Sequence, residues 1–372
     1  MMSEQNLKQI ISAFDFPGEF IAWEEIKTGH INRTYVVTFR QADGSDRSFV
    51  LQNVNTYVFK KPDELMENIQ LVTEHLRRVM IDRGENPENR VLRLVPARGG
   101  GITWLDSDGG CWRAYDFITH AYTVDNLDSA EEFREIGRAF GEFQNMLTGF
   151  PISRLHETIP YFHDTKRRIA AFEASVAKDA LGRAAGVGAE IAFARARKAE
   201  MGRIVEMIDA GVIPLRVTHN DTKINNVMLD VDTGKALCVI DLDTVMAGSA
   251  LYDFGDAVRV GASTAAEDEK DLTRVALDID LFRGFAEGFI SQTASGLTEA
   301  ELVNLPLGAM VMTYENGIRF LTDYLDGDVY FRIGYPEHNL VRCRAQFRLL
   351  SDMEARREDM DRIVRELIAK YR

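Results

Sequence analysis

The sequence predicts an α+β fold of two lobes, an antiparallel β-sheet lobe at residues 1–118 and a mainly helical lobe at 119–372. Three observations carry this. At 372 residues the chain is long for one small module and suits about two lobes around a cleft. Up to about residue 120 the signals are those of strands, broken by a single helix. After Asp128 the apolar residues change to helical spacing.

Taken in order, residues 19–27 and 33–39 cluster β-formers, Gln41-Ala42-Asp43-Gly44-Ser45 supplies turn chemistry, and residues 47–53 return as a third strand, which predicts an antiparallel meander. Pro62-Asp63-Glu64 opens a helix with Leu65, Ile69, Val72 and Leu76 on one face, acidic residues first and Arg77-Arg78 last, as the helix dipole favours. Strands are expected near 91–95, 101–105 and 111–118. Helices are expected at 131–147, 190–210 and 281–290 among others. Two short strands, 226–229 and 236–240, interrupt the helical lobe with Asp232-Thr233-Gly234 as their turn.

With 44 Lys and Arg against 58 Asp and Glu, the formal net charge is -14, so a nucleic acid would meet net repulsion. Cys111, Cys238 and Cys343 form no CxxC pair, which argues against a disulfide framework or a cysteine zinc site. The N-terminal segment lacks the plan of a signal peptide, and no apolar run reaches the roughly 18 residues of a membrane span. The expected setting is the cytoplasm, with no nucleic-acid or membrane partner.

From Val217 to Asp243 the chain reads VTHNDTKINNVMLDVDTGKALCVIDLD, gathering His219, Asp221, Asn225, Asn226, Asp241 and Asp243 around a hairpin. Phosphoryl transfer from ATP needs a carboxylate to orient and deprotonate the attacking hydroxyl. It also needs an amide and a second carboxylate to hold Mg²⁺ on the phosphates. The order D-x-x-x-x-N, hairpin, I-D supplies these three parts. A lone Asp before a strand is ordinarily a cap or turn residue; three such positions at this spacing favour the chemical reading.

His219-x-Asp221-x-x-x-x-Asn226 followed by Ile240-Asp241 resembles the catalytic and metal-binding loops of the protein-kinase-like small-molecule kinases, the aminoglycoside phosphotransferase and choline kinase group. Further motifs resemble one bacterial family within it, the N-acetylhexosamine 1-kinases: GHIN at 29–32, FVLQNVNTYVF at 49–59, THNDTK at 218–223, IDLDT, YDFGD at 252–256, and GIRFLTDYLDGDVYF followed by YPEHNLVR. The resemblance runs from about Gly29 to Arg342. It implies a bilobal protein-kinase-like fold and ATP- and Mg²⁺-dependent phosphorylation of the anomeric hydroxyl of GlcNAc or GalNAc. It implies Asp221 as the catalytic base, Asn226 and Asp241 as metal ligands, and Asp221, Asp243, Arg319 and Tyr330 on the sugar. Nucleotide contacts fall to Gly29, His30, Asn32 and Gln52, with adenine against Tyr115 and Phe117. His219 and Asp253 are expected to hold the catalytic loop, Asp253 by accepting its backbone N–H groups.

Two departures from the kinase pattern stand out. The first loop has only Gly29 in place of G-x-G-x-x-G, and β-strand residue Gln52 stands where kinases place a phosphate-contacting lysine, with Lys223 a candidate replacement cation. Other readings stand beside the sugar kinase: a kinase for an aminoglycoside, choline or another sugar, or a nucleotide-binding regulator without turnover. For Arg319 the competing structural reading is an ion pair with Asp323 one helical turn away, and for Tyr330 a place in the core.

Overall fold

The computed structural model describes residues 4–26 and 31–372. Helix α1 (Glu4–Ser12) buries Leu7, Ile10 and Ile11 against the first-lobe sheet. Strands β1 (Glu19–Ile26), β2 (Arg33–Arg40) and β3 (Asp46–Val54) form the expected antiparallel meander. Helix α2 (Pro62–Asp82) begins at its proline with Asp63 and Glu64 in the first turn, as a missing N–H and the helix dipole favour there.

Strands β4 (Trp104–Leu105) and β5 (Cys111–Asp116) complete a five-stranded antiparallel sheet in the order β1-β2-β3-β5-β4. The strand expected at 91–95 is shorter than its composition implies. It meets β5 through Val95 N–H to Ala114 O and Asp116 N–H to Arg93 O, both 2.9 Å, and Pro96, which has no N–H, ends the pairing.

The sheet has two buried faces. Phe49 and Leu51 of β3 and Trp112 and Ala114 of β5 pack with α1, whereas Val54, Cys111 and Tyr115 pack with α2 on the other side. Alternation along the strands therefore puts Gln52 and Arg113 on the α2 side, where the pattern calls for apolar side chains.

In the second lobe, β6 (Ala121–Tyr122) precedes α3 (Ala130–Met146), capped by the Ser129 side chain accepting from Glu132 N–H. Next come α4 (Thr165–Lys178), α5 (Gly188–Met201) and α6 (Arg203–Asp209). The single helix expected over 190–210 is thus broken at Gly202, glycine being a poor helix former. Strands β7 (Arg216–Thr218), β8 (Val227–Asp230), β9 (Ala236–Val239) and β10 (Met246–Gly248) follow, with β8 paired to β6 and β9, and β10 to β7.

The chain ends in α7 (Ala250–Gly261), α8 (Ile279–Thr293), α9 (Glu299–Val303), α10 (Leu305–Asp326), α11 (His338–Ala355) and α12 (Arg357–Tyr371). Helix α10 is buried on nearly every side, which makes it the axis of this lobe. It meets α7 backbone to backbone: a Cβ on Gly255 would lie 2.3 Å from Gly308 O, and one on Gly308 would lie 2.3 Å from Leu251 O. That contact sets α7, which carries Asp253, against α10, which carries Glu315 and Arg319. The three cysteines are free and buried. No helix among the described residues is long and apolar enough to cross a membrane.

Candidate active site

Strand β7 delivers the chain into the loop 219–226, and the β8–β9 hairpin returns it to 241–243. The loop is held from below by Asp253 in the first turn of α7. Its carboxylate accepts from His219 N–H at 2.9 Å and Asn220 N–H at 2.7 Å, while Thr222 Oγ1 donates to its carbonyl at 2.6 Å. This is the role expected of Asp253. Burial pushes its carboxyl up to about 6, against the lowering effect of His219 and the two amides.

His219 is fully buried, edge-on to Phe140 and Phe143. Its Nδ1 accepts from Asp221 N–H at 3.3 Å and its Nε2 lies 2.9 Å from Ile240 O, a pattern that assigns the ring proton to Nε2. The imidazole thereby couples the loop bearing Asp221 to the strand end bearing Asp241. Both Asn220 (φ 64) and Asp241 (φ 61) hold left-handed backbone conformations, which cost about 1–3 kcal/mol and persist where surrounding bonds impose them. For Asn220 those bonds include Nδ2 to Thr244 O at 3.0 Å.

Asp221 faces Lys223, whose Nζ lies 2.9 Å from Oδ1 and 3.0 Å from Oδ2. Asn226 Nδ2 donates to Asp221 O at 2.8 Å, and Ile240 N–H donates to Asn226 O at 2.9 Å. This leaves Asn226 Oδ1 without a protein donor among the described residues. Asp241 keeps its surface exposed. Loss of surrounding water, then the Asp243 and Asp221 carboxylates, raise its carboxyl.

A carboxylate and an amide oxygen beside further negative charge suit Mg²⁺. That ion is ordinarily held by one or two protein carboxylates together with substrate phosphates and water. No cluster of three or more His, Cys, Asp and Glu with metal-binding geometry occurs among the described residues, and such a site does not require one.

Asp243 is turned towards the first lobe. Its Oδ2 accepts from Asn32 Nδ2 at 2.7 Å and its Oδ1 lies 2.5 Å from Arg113 Nη1, an ion contact too oblique to count as a hydrogen bond. Asn32 Oδ1 in turn accepts from Asn55 N–H at 2.9 Å. Gln52 donates to Thr34 Oγ1 and accepts from Arg113 Nε, both at 3.0 Å. The side chains of Asn32, Gln52 and Asp243 are thus engaged with protein groups here. Tyr115 is buried under the Arg113 guanidinium, 5.3 Å from its ring centre, while Phe117 lines an open cavity of about 340 Å³ with Asp116 and Thr119. Gly29 and His30 lie outside the described residues.

Next to the 219–226 loop, His163 bridges Asn220 O (3.1 Å from Nε2) and Glu315 Oε1 (3.0 Å from Nδ1), and Thr165 Oγ1 donates to Glu315 Oε2 at 2.8 Å. Burial would lower the His163 imidazole, but the bond to Glu315 and its charge outweigh that and raise it. One turn beyond Glu315, Arg319 has among the described residues Asn316 Oδ1 at 3.3 Å and the faces of Phe331 and Tyr330 at 5.3 and 6.0 Å. Arg168 donates Nη2 to Phe162 O at 2.9 Å and leaves Nε unpartnered; burial and the neighbouring Arg319 charge hold its guanidinium below the usual value. Neither arginine has an ion pair among the described residues.

Asp323 does not pair with Arg319. Its oxygens accept from Val329 N–H (2.9 Å), Tyr330 N–H (2.8 Å), Phe331 N–H (2.9 Å) and Asn339 Nδ2 (2.8 Å), and Tyr330 is 71 % exposed instead of in the core.

Sequence reasoning missed Arg113, Arg168, His163 and Glu315. For Arg113 a signal existed: in Cys-Trp-Arg-Ala-Tyr-Asp it occupies an inward position of a buried strand.

Residues 22–287 match the family model of the phosphotransferase enzyme family (APH). The fold is similar to those of three solved structures. An aminoglycoside phosphotransferase from Alicyclobacillus acidocaldarius matches at TM-score 0.61 and 10% identity, over 98% of this chain and 96% of that one. A spectinomycin phosphotransferase in complex with ADP and spectinomycin matches at 0.56 and 13%, over 96% and 99%. A choline kinase from Cryptosporidium parvum matches at 0.55 and 14%, over 93% of each chain. At these identities the likeness is one of fold.

Proposed function

The chain belongs to the phosphotransferase enzyme family, and from that premise we propose that it is an ATP-dependent N-acetylhexosamine 1-kinase. It moves the γ-phosphoryl group of ATP to the anomeric hydroxyl of GlcNAc or GalNAc. The sugar oxygen bonds to the γ-phosphorus, the bond from that phosphorus to the β–γ bridging oxygen breaks, ADP leaves, and the hydroxyl proton passes to an Asp221 carboxylate oxygen. His219 and Asp253 hold the loop so that Asp221 meets the hydroxyl in line with the phosphate. Asn226 Oδ1 and Asp241 would hold Mg²⁺, which when bound neutralises charge on the phosphate oxygens.

The observation that carries the sugar reading is the absence, among the described residues, of an ion pair to Arg319 or Arg168 next to the catalytic loop. Among the described residues the acids near them are engaged elsewhere, Glu315 with His163 and Thr165 and Asp164 with Arg167. A cationic acceptor such as choline or an aminoglycoside would meet two guanidinium groups. A neutral polyol with an acetamido carbonyl offers oxygens that accept from them.

Phosphorus and proton NMR of the product from ATP and GlcNAc tests the reading, because it reports turnover and the carbon that receives phosphate together. A 1-phosphate is expected, and the methyl glycoside of GlcNAc, which lacks the anomeric proton, is expected to be inert. Phosphate on carbon 6, or brisk turnover of the methyl glycoside, overturns it.

A further inference from the structure

The geometry points to Arg113 as the residue that supplies, from β5, the phosphate-facing positive charge that Gln52 on β3 does not provide. This rests on the kinase reading above. In protein kinases a β3 lysine reaches the phosphates and is held by a glutamate of the following helix. Here neither member of that pair is present. Gln52 takes the strand position, and the buried face of α2 turns Met66 towards the site, its Sδ 3.7 Å from Arg113 Nη1.

Gln52 and Arg113 are direct partners in the β3–β5 register, and cross-strand partners project to the same face of a sheet. The Nε bond to Gln52 Oε1 at 3.0 Å fixes the guanidinium beside the side chain it would replace. Arginine suits this displacement, being longer than glutamine and able to present paired N–H groups to phosphate oxygens.

The Arg113 side chain is 2 % exposed, and a charge so buried is kept only where it is paired. Its counter-ion is Asp243, two residues from Asp241 and further held by Asn32 Nδ2. The Arg113–Asp243 pair therefore occupies the place of the lysine–glutamate pair, with the carboxylate contributed by the Ile240-Asp241-Leu242-Asp243 segment instead of by α2. With Nε on Gln52 and Nη1 on Asp243, Nη2 has no protein partner among the described residues and is not one of the buried orphan atoms. It is the edge left to receive a phosphate oxygen. Lys223, the replacement cation the sequence suggests, lies across both oxygens of Asp221.

Calorimetric titration of ADP and of adenosine into wild-type protein and Arg113→Gln tests this without turnover. Loss of the charge is expected to weaken ADP at least tenfold and to leave adenosine within twofold, whereas a purely structural role would weaken both alike. Equal losses, or unchanged ADP affinity, overturn the assignment. Should Arg113→Gln fail to fold, the exchange Gln52→Lys/Arg113→Gln returns one cation to the pair. It is expected to hold ADP within about threefold of wild type, and loss of ADP with adenosine retained overturns the assignment. Wild-type protein that binds neither ligand would overturn the kinase reading itself, so the two failures are distinct.

Discussion

Replacing Asp253 by alanine tests how the catalytic loop is held. The substitution leaves the N–H groups of His219 and Asn220, now at 2.9 and 2.7 Å from carboxylate oxygens, with no acceptor in a buried site. Each buried unsatisfied donor costs about 1–3 kcal/mol, so the variant should lose about 2–6 kcal/mol, a large part of the roughly 5–15 kcal/mol that stabilises a domain. Asn220 also loses a restraint on its left-handed backbone, and Asp221 follows it directly. A misplacement of about 1 Å can cost on the order of 10²-fold in rate. Urea unfolding followed by fluorescence gives the stability and steady-state kinetics the rate. A variant within about 0.5 kcal/mol of wild type would refute the claim that Asp253 holds the loop. The carboxyl also titrates unusually: from about 3.9 in the unfolded chain burial raises it to about 6 in the folded one. The folded state binds its proton more tightly, so this contribution is complete below about pH 4 and is lost as pH rises through about 6. The stability advantage of wild type over Asp253→Asn should accordingly shrink by roughly 2 kcal/mol between pH 4 and 7.

Four further outcomes are expected. Asp221→Asn should lower kcat by about 10²- to 10⁴-fold with nucleotide affinity nearly intact by calorimetry; activity within tenfold of wild type would remove it from the mechanism. Asp241→Ala should abolish the Mg²⁺ dependence of rate, which a metal titration checks, while Asn226→Ala should be milder because water can partly replace a neutral ligand. Arg319→Ala should raise KM for the sugar far more than KM for ATP in two-substrate kinetics. Gly255→Ala places a Cβ 2.3 Å from Gly308 O and should cost at least about 1–3 kcal/mol by urea unfolding, since the two backbones must separate to admit it.

The strand lobe was legible because its alternation is strong: β2 and β3 lie within a residue of their expected bounds. Segment 91–95 looked alike in composition, but only its neighbours in space decide that it forms a bridge. The helix over 190–210 read as continuous because periodicity does not register the break at Gly202. The polar cluster of the candidate site stands out in the sequence for a different reason: one hairpin brings Asp221, Asn226 and Asp241 close together along the chain. The groups around them do not stand out. Arg113 reaches Asp243, and His163 reaches Glu315, across long stretches of chain that local pattern does not connect. The alternative for Arg319 failed on geometry of the same kind, since Asp323 is occupied by amides of the segment after α10.

That occupation has a consequence for how the acceptor preference of such an enzyme can drift. Asp323 and Asn339 fix the course of 329–331 through main-chain N–H groups and one buried amide, so the path of this segment does not depend on which side chains it displays. Val329 and Tyr330 are 79 % and 71 % exposed, and exposed substitutions ordinarily change stability by less than about 0.5 kcal/mol. Positions 329 and 330 are therefore free to vary while the scaffold is inherited unchanged, and a library confined to them, with Asp323 retained, would test whether Tyr330, which the kinase resemblance puts on the sugar, sets the acceptor without first having to rebuild the fold.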